Sequence, residues 1–597
     1  MAYTYDETTG VYTVTFSELS DLLGSLDANT IDTSYKICIS EITVDEATSS
    51  LKTVLTTNSK KYVSLLWGES ALEQLKTITN AKYMFHNCSS LTSIDTSAFT
   101  SVTDARYMFY GCSSLTSIDT PAFTNVTDAG SMFHNCSSLT SIDTSAFTSV
   151  TYAGDMFCNC SSLTSIDTPA FTSVTNAVSM FHHCTSLTSI DTSAFTSVTN
   201  AGYMFYGCSS LTSIDTPAFT SVTYAGSMFC NCSSLTSIDT SAFTSVTYAS
   251  SMFYGCSSLT SIDTSAFTSV TNARYMFYGC SSLTSIDTPA FTSVTDAGDM
   301  FYGCSSLTSI DTPAFTSVTY AGDMFYGCSS LTSIDTSAFT SVTYAGSMFY
   351  GCSSLTSIDT SAFTSVTDAS GMFYGCSSLT SIDTPAFTSV TDARYMFYGC
   401  KNLVSINVLS LRNATRIDYL FQNCSSLQTI TDWKFDISKF TDSTQYSYVI
   451  TGTPDTLKIY VKEAINHHKD ENNKSKYSLV RVRKSGTSVT VKKQSLNETS
   501  ATEKTLTVAD GDTVAFYGKI DEIAVAPTIS DDAFNKMIKY RYAWSNSNTS
   551  LDPSKSNFII WAKDKDTVTT NLTNINGKVQ IPTSKPSTVV DGDIWIE

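Results

Sequence analysis

Basic residues are almost missing from the middle of this chain. Between Lys82 and Lys401 the only lysines or arginines are Arg106, Arg274 and Arg394, and the 597 residues carry a formal net charge of -20. Phosphate backbones are held by clusters of Lys and Arg that displace condensed counterions. Nucleic acid is therefore excluded as a partner of this region, and attraction to anionic lipid with it. Long apolar runs are missing as well. No stretch approaches the roughly 18 residues of a spanning helix, so no membrane insertion is expected. The N-terminus, Met1-Ala2-Tyr3-Thr4-Tyr5-Asp6-Glu7, has neither the basic start nor the apolar core of a secretory signal. The expectation is a chain that leaves its cell by another route or whose signal has been removed. Catalytic sets are missing too. Of the six histidines, His86, His134, His182 and His183 scatter over positions that hold Tyr, Gly, Asn or Cys in other copies of a repeated segment, and His467 and His468 lie beside a charged loop. No Gly-x-Ser-x-Gly elbow stands between a strand and a helix, and no phosphate loop or dinucleotide fingerprint occurs. The chain does not read as an enzyme.

What is present is a repeat. The segment from Ala105 to Asp128, ARYMFYGCSSLTSIDTPAFTNVTD, recurs every 24 residues. Fifteen cysteines from Cys88 to Cys424 keep that interval, as do the Phe series from Phe85 to Phe421 and the Leu series from Leu91 to Leu427. Cys88, Leu91, Ile94, Phe99, Val102, Ala105, Met108 and Phe109 are the apolar positions of one copy. Asp-Thr-Pro-Ala and Gly-Cys-Ser-Ser interrupt any helix, and Ser, Thr and Val favour extended chain. We read Leu91–Thr96 as a short strand and Ala98–Phe109 as a return arc with a helical turn. One such coil cannot bury its apolar side alone, whereas stacked coils can. The fold class is thus a β-rich repeat solenoid of about fifteen coils over residues 81–440. A degenerate first coil carries Leu75 and Ile78, and a loosened last one carries Asn407, Leu411 and Leu420.

The runs MFYGCSSLTSIDTSAFTSVTDA resemble the BspA-like, Treponema-type leucine-rich-repeat family of bacterial surface proteins, over roughly residues 81–435. That resemblance implies a leucine-rich-repeat fold, binding or adhesion, and no catalysis. Residues 1–80, with a strand at Val11–Phe16 and a helix at Ser17–Leu23 capped by Ser17, form an attachment or capping region. Residues 441–484, with strands at Leu457–Val461 and Tyr477–Val482, resemble the cap that follows such repeats. Residues 485–597 read as a β-rich region with strands at Ser488–Lys492, Thr505–Val508 and Thr513–Tyr517. Its closing Val590-Asp-Gly-Asp-Ile-Trp-Ile-Glu597 is similar to the ends of bacteriophage tail and fibre proteins. The expected setting is a virion tail or other surface appendage, with a bacterial cell-surface adhesin as the alternative and a structural spacer as the third reading.

Three patterns could carry chemistry. The ladder cysteines read as buried free thiols, with Cys158 and Cys230 as exposed substitutes for Tyr. Thirteen aspartates from Asp95 to Asp383 stack at one position. They read as a solvated ladder bonded to hydroxyls and backbone, with Ca2+ between coils as the only cofactor to consider. The third pattern is variation. The strand and core hardly change, while positions 104, 106, 107, 110 and 111 and their 24-residue equivalents do. Stacking turns these into a stripe of Asp104, Arg106, Tyr107, Tyr110, Tyr152, Asp155, Tyr203, Tyr206, Tyr224, Tyr248, Arg274, Tyr275, Tyr320, Tyr344, Arg394 and Tyr395. Rigid rings with adaptable polar neighbours are what binding loops favour. The expected partner is a host cell-surface protein or glycan. Other virion proteins could engage the terminal regions, and a second copy or a carbohydrate the regular hydroxyl face of Thr92, Ser93, Asp95 and Thr96.

Overall fold

A computed structural model describes residues 3–26, 35–57 and 64–433, then 449, 452–453 and a set of strands between 458 and 595. It divides into two compact units, Met1–Asp296 with Met300–Leu307, and Ala297–Asp299 with Thr308–Glu597.

The first unit begins with a small α/β cap. Strands β1 (Thr4–Asp6) and β2 (Val11–Thr15) pair antiparallel; β2, β3 (Lys36–Glu41), β4 (Ser64–Trp67) and β5 (Ser93–Ile94) follow in parallel. Helices α1 (Phe16–Ser25), α2 (Leu51–Thr57) and α3 (Glu69–Leu75) fill the connections. Alternation explains β2, and the apolar stripe Leu19, Leu22 and Leu23, all fully buried, explains α1. The N-cap is Thr15 rather than Ser17; its hydroxyl donates to Glu18 Oε2 at 2.9 Å. Because β5 is already the strand of a repeat, the cap sheet and the first coil share one hydrogen-bonded surface. Trp67 seals the seam. Its Nε1 donates to the Asp95 carbonyl at 2.8 Å, and its ring meets Phe99 edge-on at 6.3 Å.

The repeats are 24-residue coils. Their strands are shorter than the sequence suggests, two or three residues such as Ser165–Ile166 and Ser213–Ile214, paired in parallel with Ser189–Ile190 and Ser237–Ile238. The helical turn of the return arc is a single 3-10 turn, as at Phe219–Ser221. Inside lie stacked columns. Phe109, Phe133 and Phe157 follow at 5.4 and 5.6 Å, and Phe325, Phe349 and Phe373 in the second unit at 5.5 and 5.7 Å. All of these rings are fully buried. The cysteine column is buried and unbridged. Its thiols donate to backbone carbonyls of the preceding coil, as Cys136 Sγ does to Phe109 and Cys208 Sγ to Phe181, both at 3.2 Å. Cysteine suits that place as a small apolar body with a weak donor.

The abundance of Ser and Thr has the same origin. Buried Thr216 donates to the Asp239 carbonyl of the next coil, and Thr127 and Thr140 to Thr103 and Thr116 of the preceding one at 3.3 and 3.2 Å. Hydroxyls thus fasten coil to coil where short strands supply few backbone bonds.

The second unit continues such coils and closes them with a parallel sheet ordered Ser381–Ile382, Ser405–Asn407, Thr429–Trp433 and Lys458–Val461. Beyond it, Ser478–Ser485, Ser488–Ser495, Thr502–Thr507, Glu522–Val525 and Asn557–Lys563 form an antiparallel five-stranded sheet. Val514–Tyr517 pairs in parallel with Val579–Gln580 and Ile594–Trp595. The strands expected at 457–461, 477–482, 488–492 and 513–517 are present, each starting within one residue of its expected place, whereas the one expected at 505–508 lies at Thr502–Thr507 and starts three residues earlier. His467 and His468 lie outside the described residues. Among the described residues no helix is long and apolar enough to cross a membrane.

Candidate functional site

The five variable positions all fall on one arc, and the backbone of that arc is the most heavily bonded part of the coil. In the coil that begins at Asp104, alternate N–H groups cross to the next coil. Ala105 donates to Asp128 at 2.9 Å, Tyr107 to Gly130 at 3.0 Å, Phe109 to Met132 at 2.9 Å and Gly111 to His134 at 2.8 Å. The intervening N–H groups close local turns, Met108 to Ala105 and Cys112 to Phe109, both at 3.1 Å. The second unit repeats the pattern, with Phe373 donating to Met396 at 2.9 Å and Gly375 to Tyr398 at 2.7 Å.

Both local turns need a left-handed third residue, as a type II turn does. These are positions 107 and 111. Every copy of each has a positive φ, 53° to 63° in the first column and 56° to 73° in the second. The two columns answer this requirement differently. The second holds nine Gly, five Asn and one His, residues that enter the left-handed region easily. The first holds six Tyr, five Ser, three Asp and a single glycine, Gly371. A bulky residue in that conformation is an outlier, costing about 1–3 kcal/mol.

The side chains assemble into short clusters. Arg106 grips Asp104 with Nε to Oδ1 at 3.0 Å and Nη2 to Oδ2 at 2.6 Å, and reaches Asp128 of the next coil at 3.3 Å. That guanidinium holds the Asp104 carboxyl below its ordinary pKa. Arg274 lies over the Tyr275 ring at 4.7 Å, and Arg394 pairs with Asp392 at 3.1 Å. Tyr107 and Tyr110, Tyr203 and Tyr206, and Tyr395 and Tyr398 each meet at 6.1 Å, so positions 107 and 110 form one surface. Tyr224 stacks on Tyr248 and Tyr320 on Tyr344, each at 4.8 Å. Tyr152 and Tyr203 are the most open, 39% and 41% exposed. Asp155 stands near Tyr152 of the stripe and also gathers with His134 and Cys158.

Two features escaped the sequence reading. Position 110 is a stacked column of rings: Tyr254, Tyr278 and Tyr302 at 4.5 Å in the first unit, and Tyr326, Tyr350, Tyr374 and Tyr398 at 4.2–4.3 Å in the second. Position 110 varies among Tyr, His and Cys as far as Cys230, but from Tyr254 to Tyr398 it is Tyr in every coil, so a reading of variation passes over this run. The other feature is a coupling between positions 104 and 106. A Cβ at Gly130, Gly202, Gly226 or Gly322 would sit 2.5–2.9 Å from a ring carbon of Tyr152, Tyr224, Tyr248 or Tyr344. All five tyrosines of the 104 column, Tyr320 included, follow a coil with Gly at the 106 position. The coupling was readable by aligning copies in pairs rather than singly.

One expectation is corrected. Cys158 and Cys230 are buried, each 5% exposed, because side chains of adjacent coils close over the smaller residue. Burial pushes their thiols up to about 12 and about 11.

The strand face offers less freedom. Its Thr hydroxyls are engaged in fastening coils, and Ser97, Ser145 and Ser241 donate their N–H to Asp95, Asp143 and Asp239 at 2.9 Å. Those bonds pull the Asp143 and Asp239 carboxyls below their ordinary value. A shallow groove of about 460 Å³ runs beside Asp167, Asp191 and Asp215.

A family model described as a BspA type leucine-rich repeat region (six copies) matches residues 70–188, 155–274, 249–370 and 347–448. No curated protein matches. Among solved structures, the TLR13–ssRNA13 complex is similar at 16% identity over 73% of this chain, with a TM-score of 0.21; this chain spans 60% of that one's length. A leucine-rich repeat protein from Eubacterium ventriosum is similar at 16% identity over 78% of this chain and 95% of its own, with a TM-score of 0.25. The Toll–Spatzle complex of Drosophila is similar at 11% identity over 76% of this chain and 62% of its own, with a TM-score of 0.21.

Proposed function

We propose a function from one premise: this chain belongs to the BspA-type leucine-rich-repeat family. It is a non-enzymatic recognition protein, and its partner docks on the arc that carries positions 104, 106, 107 and 110. One observation carries this reading. The 107 column keeps tyrosine in a left-handed backbone where glycine would fit without strain, and the 111 column beside it has taken glycine. Side chains retained against a conformational cost point to a use outside the fold. The partner is a cell-surface protein or glycan, met by exposed rings with polar neighbours.

The setting is a further part of the proposal. The closing residues Val590–Glu597 support a bacteriophage tail-associated protein that touches its host. The repeat family supports a bacterial cell-surface adhesin. Both predict that the stripe matters, whereas a spacer predicts that it does not.

The test is binding of the labelled chain to intact candidate host cells and to protease- or periodate-treated ones. Tyr107→Ser, Tyr203→Ser and Tyr275→Ser are combined, since Ser stands at the same position in other coils. Three buried aromatic contacts each worth over 1 kcal/mol imply at least a roughly hundredfold loss of affinity, with the melting temperature retained. Equal binding by the wild type and the triple variant would remove the stripe and leave the spacer.

A further inference from the structure

The ring column at position 110 is broken twice in the first unit, once by Cys158 and once by Cys230. The two gaps share a backbone and differ in their lining. Cys230 has Tyr206 and Tyr254 in the coils on either side and Ser227 at the 107 position of its own coil. Cys158 has His134 and His182 on either side and Asp155 in its own coil. A ring nitrogen of His134, an Asp155 carboxylate oxygen and Cys158 Sγ all lie within 4.8 Å of one another. His134 Nδ1 is buried and has no hydrogen-bond partner among the described residues. On its other side, Tyr110 stacks on the His134 ring at 4.7 Å and fixes its plane. One coil further along, His182 Nδ1 lies 3.7 Å from Cys158 Sγ.

We propose that the Cys158 gap binds a thiophilic divalent cation of the zinc class, ligated by His134 Nδ1, the Asp155 carboxylate and Cys158 Sγ. Thiolate, imidazole and carboxylate are the three ligand types such an ion takes, at about 2.0–2.3 Å. Ligand atoms around a tetrahedral ion then stand roughly 3.3–3.8 Å apart, so small side-chain rotations of the half-buried His134 and Asp155 close the site. Thiolate and carboxylate together neutralise the ion's two charges. Binding exchanges the S–H bond of Cys158 for an S–metal bond and releases one proton to solvent. His182 contacts the sulfur from the coil beyond the ligands; donating to the thiolate, it is a positioning residue. The fourth coordination place is left for water.

The experiment is a titration of the full chain with Co2+, which reports thiolate ligation as a charge-transfer band and tetrahedral geometry as visible bands, followed by competition with Zn2+. The expected result is one equivalent bound, displaced by Zn2+, with a higher melting temperature in the loaded chain. Cys158→Ser and His134→Tyr, the latter restoring the commonest residue of the column, should abolish the band. His182→Tyr should weaken binding by about 10–100-fold. Cys230→Ser should leave the titration unchanged. A wild-type chain without the band, a band that survives in Cys158→Ser, or an equal loss in Cys230→Ser would overturn the proposal. Circular dichroism of each variant shows whether it is folded.

Discussion

The two faces of a coil divide their labour in opposite ways. On the strand face the side chains are nearly uniform, the strands are two or three residues long, and hydroxyls such as those of Thr140 and Thr216 fasten one coil to another. On the opposite arc the side chains vary, and four backbone N–H groups per coil cross to the neighbour, as at Ala105, Tyr107, Phe109 and Gly111. Where the backbone carries cohesion the side chains are released, and where side chains carry it they are fixed. Sequence uniformity on the strand face therefore reports structure. Sequence variation on the arc reports freedom, which is the first requirement of a recognition surface.

Alkali should break both faces at once. Burial raises the column thiols, Cys136 and Cys208 among them, well above the ordinary value of 9.0. A folded pKa above the unfolded one means that the unfolded chain loses its thiol protons first. The stabilisation is complete below pH 9 and falls as pH rises beyond it, by up to about 1.4 kcal/mol per pH unit for each thiol. Melting curves between pH 7 and 11 should show a collapse beginning near pH 9, and a flat profile would contradict the thiol assignment.

Single substitutions sharpen the contrast. Thr216→Val keeps shape and removes the donor to the Asp239 carbonyl, so it should cost about 1–3 kcal/mol in urea unfolding. Gly202→Val drives a side chain against Tyr224 and should cost about 1–3 kcal/mol by overpacking. Adding Tyr224→Asn reproduces the neighbours Val178 and Asn200 found elsewhere in the chain and should recover most of that loss. A double variant no better than the single one would show that the ring and the glycine are not coupled. Tyr203→Gly should stabilise the fold by about 1 kcal/mol through relief of left-handed strain while weakening partner binding; a destabilised variant would mean that the ring serves the fold. Smallest of all should be the response to Ca2+. The aspartates measured by Asp95 and Asp143 already accept backbone N–H bonds, so millimolar Ca2+ should leave the melting temperature unchanged, and a clear rise would assign the ladder a cation.

The 24-residue period, the buried columns and the breaks at both ends were legible because apolar spacing states which residues face inward. The family resemblance followed from the same copies. Spacing does not state which N–H groups cross between coils. The left-handed backbone at Tyr107 and Gly111 was therefore invisible, although the Gly and Asn preference at position 111 was its trace. Cys158 and Cys230 were read as exposed because tyrosine, whose ring reaches solvent, usually fills their place. A shorter side chain at the same Cα instead lies beneath its neighbours. The approach of Asp155 and Cys158 to His134 is a meeting of two coils that no single copy displays.

The rings of Tyr152 and Tyr224 resting on Gly130 and Gly202 also bear on how such an array can be rewritten. Exchange of 24-residue units by duplication or recombination leaves the backbone seam intact, because every coil offers the same donors and acceptors. It does not leave every junction acceptable. A unit bearing tyrosine at its opening position can follow a unit with Gly130 or Gly226, and cannot follow one with Arg106 or Val178 without displacing its ring. The order of units thus obeys a neighbour rule, and the sets of exposed residues open to descendants of this chain are those that the rule permits.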